Sequence, residues 1–330
     1  MLAVLASVVS GGNMEARELD QFYTRDDVAV MCVSNLVKIL PRLQVGGRGD
    51  KWFFVEPSAG GGAFLRALKA VGGMSKCKWF ACDIDPHEDS IEKKDFLKDD
   101  ISTFLPSGGR VVVLGNPPFG KKGKLAAAFI NKGLEYASIV GFILPIQFNK
   151  FSGHNQIVRN ARLVFNEPLP ADCFVFKCKP YSVRCCFQVW TTAKTDIPDL
   201  RLRSSPKTKH PDFEMYQYNC TKEASKFFDK ETYGWDFAVP RQGFKDYTVR
   251  EHDPLKLDRR IQWIFFKAKN RNVLARLMKF DFVALSQKNS TIPGFGKADV
   301  VEEYERRYPV EDRKSAVGQM EFDLGIGSKK

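Results

Sequence analysis

Along the first two-thirds of the chain, continuous apolar runs alternate with stretches of helical spacing. Trp52-Phe53-Phe54-Val55, Trp79-Phe80-Ala81-Cys82, Val111-Val112-Val113-Leu114 and Val140-Gly141-Phe142-Ile143-Leu144 are short and rich in aromatic and β-branched residues. Each predicts a buried strand. Val28, Met31, Cys32, Leu36, Ile39 and Leu40 recur at helical spacing, which predicts a helix over Arg25–Leu40 with Thr24 as its N-cap. Further helices are expected from near Ala63 and over Ala126–Tyr136, with a short helix-compatible stretch before Asp95. Cys173–Phe176 and Val183–Trp190 are two more strand-like runs. The order β-loop-α-β-α-β builds an α/β fold, a doubly wound, mostly parallel sheet with helices on both faces.

The breaks between the runs carry the chemistry. The third strand runs into Asn116-Pro117-Pro118-Phe119-Gly120, where two prolines remove two backbone donors and stiffen the turn. A stiff turn at the carboxyl end of a buried strand is where open α/β sheets place ligands. The Asn116 amide oxygen and the flat Phe119 ring are suited to an exocyclic amine and the ring that bears it. A plain proline-rich loop with an aromatic plug is the structural alternative. The first strand runs into Glu56-Pro57-Ser58-Ala59-Gly60-Gly61-Gly62, whose glycines let a ligand approach the backbone closely. The spacing is not that of a dinucleotide loop, and Glu56 would repel a phosphate. It suits a cationic ligand, such as a sulfonium carrying an amino acid. Asp83 ends the second strand where it can accept from ribose hydroxyls, Ile84 is placed against a purine face, and Asp95 is placed to accept from an adenine amine.

After Trp190 the composition changes. Residues 194–215 carry Lys194, Arg201, Arg203, Lys207, Lys209 and His210 among prolines, which predicts a linker or irregular element. Beyond it, Trp235, Phe237, Arg241, Phe244, Lys245, Tyr247 and Arg250, then Arg259 to Lys267, interleave cations with aromatics, a mixture that neutralises phosphates and fills a groove. A small α+β appendage with solvated charges is the alternative. Thr291–Lys297 reads as a turn into a last helix near Ala298–Arg307. The division expected is an N-terminal extension over 1–19, a catalytic domain over 20–192, a target-recognition region over 193–308 and a disordered polar tail over 309–330.

The formal charge of +12 points to an anionic partner, nucleic acid first. Eight cysteines without a paired framework suit a reducing compartment, cytoplasmic or nuclear. Cys173, Cys178, Cys185 and Cys186 lack the C-x-x-C spacing of a zinc site, so no metal is expected. No apolar run reaches the length of a membrane span, and Met1–Val9 lacks the basic flank of a signal peptide. Met14 is a second candidate start.

Asp20-Gln21-Phe22-Tyr23-Thr24, Phe54 to Gly62, Cys82-Asp83-Ile84-Asp85-Pro86, Asp95-Phe96-Leu97 and Asn116-Pro117-Pro118-Phe119 together resemble the ordered motifs of S-adenosylmethionine-dependent amino-methyltransferases. The N-P-P-F form resembles the DNA adenine-N6 branch, and the order resembles the γ arrangement. The resemblance covers about residues 20 to 190 and implies a Rossmann-like class I fold. It implies that Tyr23, Thr24, Glu56, Pro57, Ser58, Ala59, Gly60, Asp83, Ile84, Asp95 and Phe96 line the S-adenosylmethionine pocket. It implies that Asn116, Pro117, Pro118 and Phe119 hold a flipped adenine, with DNA favoured over RNA as partner. Gly62 departs from the G-x-G form of many relatives and only loosens the turn. Adenine in RNA, the cytosine N4 amine, a protein glutamine and a non-catalytic nucleic-acid-binding role are the competing expectations.

Overall fold

The computed structural model describes residues 23–46, 51–74, 76–176, 179–243, 246–288 and 292–309. The extension over 1–19, Asp20, Gln21, Phe22, Cys178, Phe244, Lys245, Thr291 and the tail from residue 310 lie outside the described residues. The chain divides into two compact units, Met1–Ser204 and Ser205–Lys330.

The first unit begins with β1 (Tyr23–Thr24), α1 (Asp26–Ile39) and β2 (Leu43–Gln44). There follow β3 (Trp52–Glu56), α2 (Ala63–Ala70), β4 (Lys78–Asp83), β5 (Glu92–Lys93) and β6 (Arg110–Gly115). Next come α3 (Lys124–Tyr136), β7 (Ile139–Pro145), α4 (Phe151–His154) and β8 (Arg162–Pro168). The unit closes with β9 (Phe174–Phe176), β10 (Lys179–Tyr181), β11 (Cys185–Thr191) and β12 (Lys194–Thr195).

Seven strands form the central sheet in the order β5-β4-β3-β6-β7-β11-β8. The first five are mutually parallel, and β11 pairs antiparallel with both β7 and β8. This is the doubly wound, mostly parallel Rossmann-like sheet. Successive side chains of a strand point to opposite faces, so a continuous apolar run feeds two cores at once. Phe54, Val112, Leu114 and Ile143 pack on one face with α1 and α2 (Val33, Leu36, Phe64, Leu68). Val55, Val113, Phe142 and Leu144 pack on the other with α3 (Ala126, Phe129, Ile130). Each such side chain contributes roughly 1.5–3 kcal/mol through burial.

The order turns back between β3 and β6: from β3 the chain steps outward to β4, then returns to its other side as β6. The carboxyl ends of these three strands, carrying Glu56, Asp83 and Asn116, therefore open on one crevice.

Two local expectations are corrected. Thr24 does not cap α1: it lies in β1, paired with Phe174, and Arg25 takes the cap position without a side-chain cap bond. Strand pairing holds Thr24 extended one residue too early, while Asp26 and Asp27 supply negative charge to the first turn. The stretch before Asp95 is turns and bends with the two-residue β5 rather than a helix.

Residues 193–204 belong to the first unit. Strand β12 pairs with β2, and the Arg201 guanidinium donates to the carbonyls of His154, Ile157, Val158 and Ala161 at 2.6–2.9 Å while covering the Trp190 ring. Arg201 is thus a clamp rather than a free cation, and its burial lowers its pKa.

The second unit holds β13 (Phe213–Tyr218), α5 (Lys230–Tyr233), β14 (Phe237–Pro240) and β15 (Trp263–Ala268), then α6 (Arg271–Met278), α7 (Phe282–Lys288) and α8 (Lys297–Arg307). Its three strands form an antiparallel sheet with β15 in the centre, which makes the unit a smaller α+β body. Ile264 and Phe266 join Phe237, Leu277 and Tyr304 on one face, and Trp263 and Phe265 join Phe228 and Trp235 on the other. Among the described residues, the aromatics expected to fill a nucleic-acid groove therefore build this core. Arg250 donates to the carbonyls of Tyr247, Thr248, Val249 and Phe280, and Arg241 to the Gln262 side chain, so neither is a free cation. Among the described residues no helix is long and apolar enough to cross a membrane.

Candidate active site

All the predicted site residues except Asp95, Pro117 and Phe119 line one cleft at the crevice between β3, β4 and β6. The glycine loop forms its floor. Gly60 adopts a left-handed conformation (φ +48°), and a Cβ there would lie 3.2 Å from Tyr23 Cε1. The Gly60 N–H donates to Asp83 Oδ2 at 2.8 Å, and the Asp85 N–H donates to Asp83 Oδ1 at 2.9 Å. Asp83 thereby ties the loop to the tip of β4, and its oxygens keep further lone pairs for a ligand hydroxyl. Ser58 Oγ donates to the Asn116 backbone carbonyl at 2.9 Å and couples the glycine loop to the amide turn.

Glu56 is 4% exposed, and its Oε2 has no hydrogen-bond partner. Burial first, and then the nearby Asp83 charge, raise its pKa well above the usual carboxylate value. At the other end, Ile84 is 50% exposed, while Phe96 stacks on Phe129 at 5.4 Å as an apolar wall. The cleft suits a ligand with a positive charge at Glu56, hydroxyls at Asp83 and a flat ring beside Ile84. S-adenosylmethionine has this layout.

The three remaining residues have other partners. Asp95 turns to its own loop: Leu97 N–H donates to Oδ1 at 3.0 Å, and Lys98 pairs with Oδ2 at 2.9 Å and lowers its pKa. Pro117 is buried beneath the turn. Phe119 is half-buried, meets Phe174 edge-on at 6.2 Å and packs against both cores, so much of its ring serves as a plug.

Several lining residues escape the sequence patterns, namely Ala63, Phe64, Arg66, His87 and Phe129, while Gly61 and Asp85 lie within the quoted motifs. Tyr23 Oη and His87 Nε2 lie 2.8 Å apart and bridge the glycine loop. Burial and the charges of Asp83 and Asp85 raise the Tyr23 pKa, which keeps its hydroxyl protonated. Arg66 pairs with Asp26 at 2.7 Å and donates to the Gly61 carbonyl at 2.5 Å, which braces the loop. His87 follows Asp85-Pro86 directly, and a histidine four residues beyond the ribose-type acid Asp83 was the available signal.

Gly60→Ala is expected to lower cofactor affinity about tenfold, because left-handed backbone costs a non-glycine residue about 1–2 kcal/mol and the methyl group presses on Tyr23. Calorimetry with S-adenosylhomocysteine checks this, and unchanged affinity would show the loop to be indifferent to its backbone.

The family model of an EDM2 methyltransferase-like domain matches residues 54–157. Comparison with curated proteins finds no match. Among solved structures, a type I restriction-modification methyltransferase subunit from Streptococcus thermophilus is 18% identical with a TM-score of 0.38, over 59% of this chain and 52% of that one. The chain thus spans about half of that relative. The type IIL restriction-modification enzyme MmeI in complex with DNA is 9% identical with a TM-score of 0.42, over 86% of this chain and 64% of that one. The EcoKI M protein of a type I restriction enzyme is 12% identical with a TM-score of 0.36, over 96% and 75%.

Proposed function

We propose that this chain is an S-adenosylmethionine-dependent methyltransferase acting on the exocyclic N6 amine of adenine in DNA. The observation that carries the proposal is the convergence on one cleft of the buried acid Glu56, the glycine loop and the Asn116 turn, joined by the Ser58 hydrogen bond. The match of residues 54–157 to a methyltransferase-like domain supports it.

Bound S-adenosylmethionine supplies an electrophilic methyl group on a sulfonium. Glu56 faces the cationic amino-acid end, Asp83 accepts from the ribose hydroxyls, and Ile84 with Phe96 encloses the adenine. Asn116 Oδ1 and the Pro117 carbonyl accept the two hydrogens of the target amine. These bonds turn the nitrogen lone pair away from conjugation with the ring and toward the methyl carbon. The N–C bond would form as the S–C bond breaks, with S-adenosylhomocysteine as leaving group and the surplus proton of the amine lost to solvent. Positioning and electrostatics thus carry the step without a covalent enzyme intermediate. A base in a duplex cannot reach this depth, so it must leave the stack, and the exposed part of the Phe119 ring faces it. The formal charge of +12 suits a polynucleotide, and the second unit takes the role of target recognition.

Mass spectrometry of nucleosides from cells expressing the chain, against cells expressing Asn116→Ala, tests the assignment. N6-methyladenine in DNA from the first cells alone is expected. The same mark confined to RNA would move the substrate to RNA, and its absence from both would reject the proposal.

A further inference from the structure

The segment that follows the Asn116 turn is a single 3₁₀ turn, Lys121-Lys122-Gly123, that runs directly into α3 at Lys124. It is pinned rather than slack. Gly120 (φ +65°) leaves no room for a side chain, since a Cβ would lie 2.7 Å from Leu125 Cβ. At Gly123 (φ +72°) a Cβ would lie 2.6 Å from the Phe148 ring. Lys122 between them is itself left-handed (φ 57°, ψ 27°), a conformation that glycine or asparagine adopts at lower cost. Lys121, Lys122 and Lys124 are all exposed, and none forms an ion pair among the described residues. From Asn116 to Leu134 the chain holds no Asp or Glu. A rigid, acid-free turn with three displayed ammonium groups thus begins five residues after the proposed base-holding amide.

We propose that Lys121, Lys122 and Lys124 form a phosphate-gripping edge that holds the polynucleotide strand on either side of the base presented to Asn116. The proposal rests on the methyl-transfer assignment for its target and on the lysine geometry for its mechanism. Extruding a base requires its flanking phosphates to be held in place, and ammonium groups on a stiff turn do this without reading sequence. The positive end of α3 adds to the same field. The backbone strain at Lys122 is consistent with a side chain retained for what it contacts.

The experiment compares the full-length protein with the triple variant K121Q/K122Q/K124Q on a mixed-sequence DNA duplex and on RNA of the same sequence. Affinity is measured over a range of salt, with S-adenosylhomocysteine binding measured alongside. The expected result is a fall of about 2 to 3 in the slope of log affinity against log salt, with unchanged S-adenosylhomocysteine affinity. Lys122→Gly is expected to melt no lower than the parent yet bind the polynucleotide more weakly, which separates phosphate contact from folding. The arm that shows the larger change identifies DNA or RNA as the source of the phosphates. An unchanged slope in the triple variant, or a parent protein that binds neither polynucleotide, would overturn the proposal. A lysine-dependent slope in a protein that fails to bind S-adenosylhomocysteine would uphold the phosphate edge and reject the methyl-transfer assignment.

Discussion

Asn116→Ala is expected to lower kcat for methyl transfer by about a thousandfold while S-adenosylhomocysteine affinity stays within about twofold of the parent. The amine of adenine donates its lone pair into the ring, so its nucleophilicity depends on acceptors that engage both hydrogens in the transition state. Truncating Asn116 removes one acceptor and leaves the Pro117 carbonyl, the Ser58 bond to the Asn116 carbonyl and the glycine loop in place. The loss should therefore fall on kcat rather than on cofactor binding. Asn116→Asp keeps an acceptor oxygen at the same reach and should retain more turnover than alanine. Single-turnover transfer of labelled methyl, with calorimetry alongside, separates the two effects. Near-normal turnover in the alanine variant would remove Asn116 from the chemistry.

The sheet was legible because its strands are buried on both faces. A run such as Val111–Leu114 has no polar position to confuse with a surface strand, and its neighbours in the sheet read the same way. Strand β8 was not, because its second half, Asn166-Glu167-Pro168, is polar and lies on a sheet edge, where burial does not enforce the pattern. Thr24 shows a different failure. Its residue type suits a helix cap, but pairing with Phe174, about 150 residues away, decides its backbone. Local preference cannot anticipate so distant a partner.

The cleft was legible where one strand end carries one chemistry: Glu56, Asp83 and Asn116 each follow a buried run. Residues brought in by packing were not, and His87 is the clearest case, since only the fold sets it against Tyr23. The rear segment shows the limit of composition. Alternating cations and aromatics match a nucleic-acid surface, yet β15 sends Trp263 and Phe265 to one core and Ile264 and Phe266 to the other. In a strand covered on both faces every aromatic becomes core, and of the neighbouring arginines Arg250 is taken up by backbone carbonyls, Arg241 by the Gln262 side chain and Arg260 by Asp258.

Glu56→Gln is expected to make the ligand-free protein more stable at neutral pH and to weaken S-adenosylmethionine binding about thirtyfold, ~2 kcal/mol. The stability effect follows from its raised pKa. An unfolded Glu titrates near its ordinary value of about 4.3, so above that pH the unfolded chain releases a proton that the folded protein retains. Stability conferred by the protonated group is therefore present below the unfolded pKa and lost as pH rises through the folded one. Glutamine does not titrate, so the variant should melt above the parent at neutral pH, and the gap should close in acid. The binding effect has the opposite sign, because a sulfonium and an ammonium favour the ionised acid. Cofactor binding below the raised pKa should release a proton from Glu56, and affinity should climb with pH through that window in the parent but not in the variant. Calorimetry in two buffers of different ionisation enthalpy measures the proton directly. If the parent releases none, or if the glutamine variant binds S-adenosylmethionine as tightly, then Glu56 plays no part in holding the ligand and the cation at this end of the cleft is held by something else.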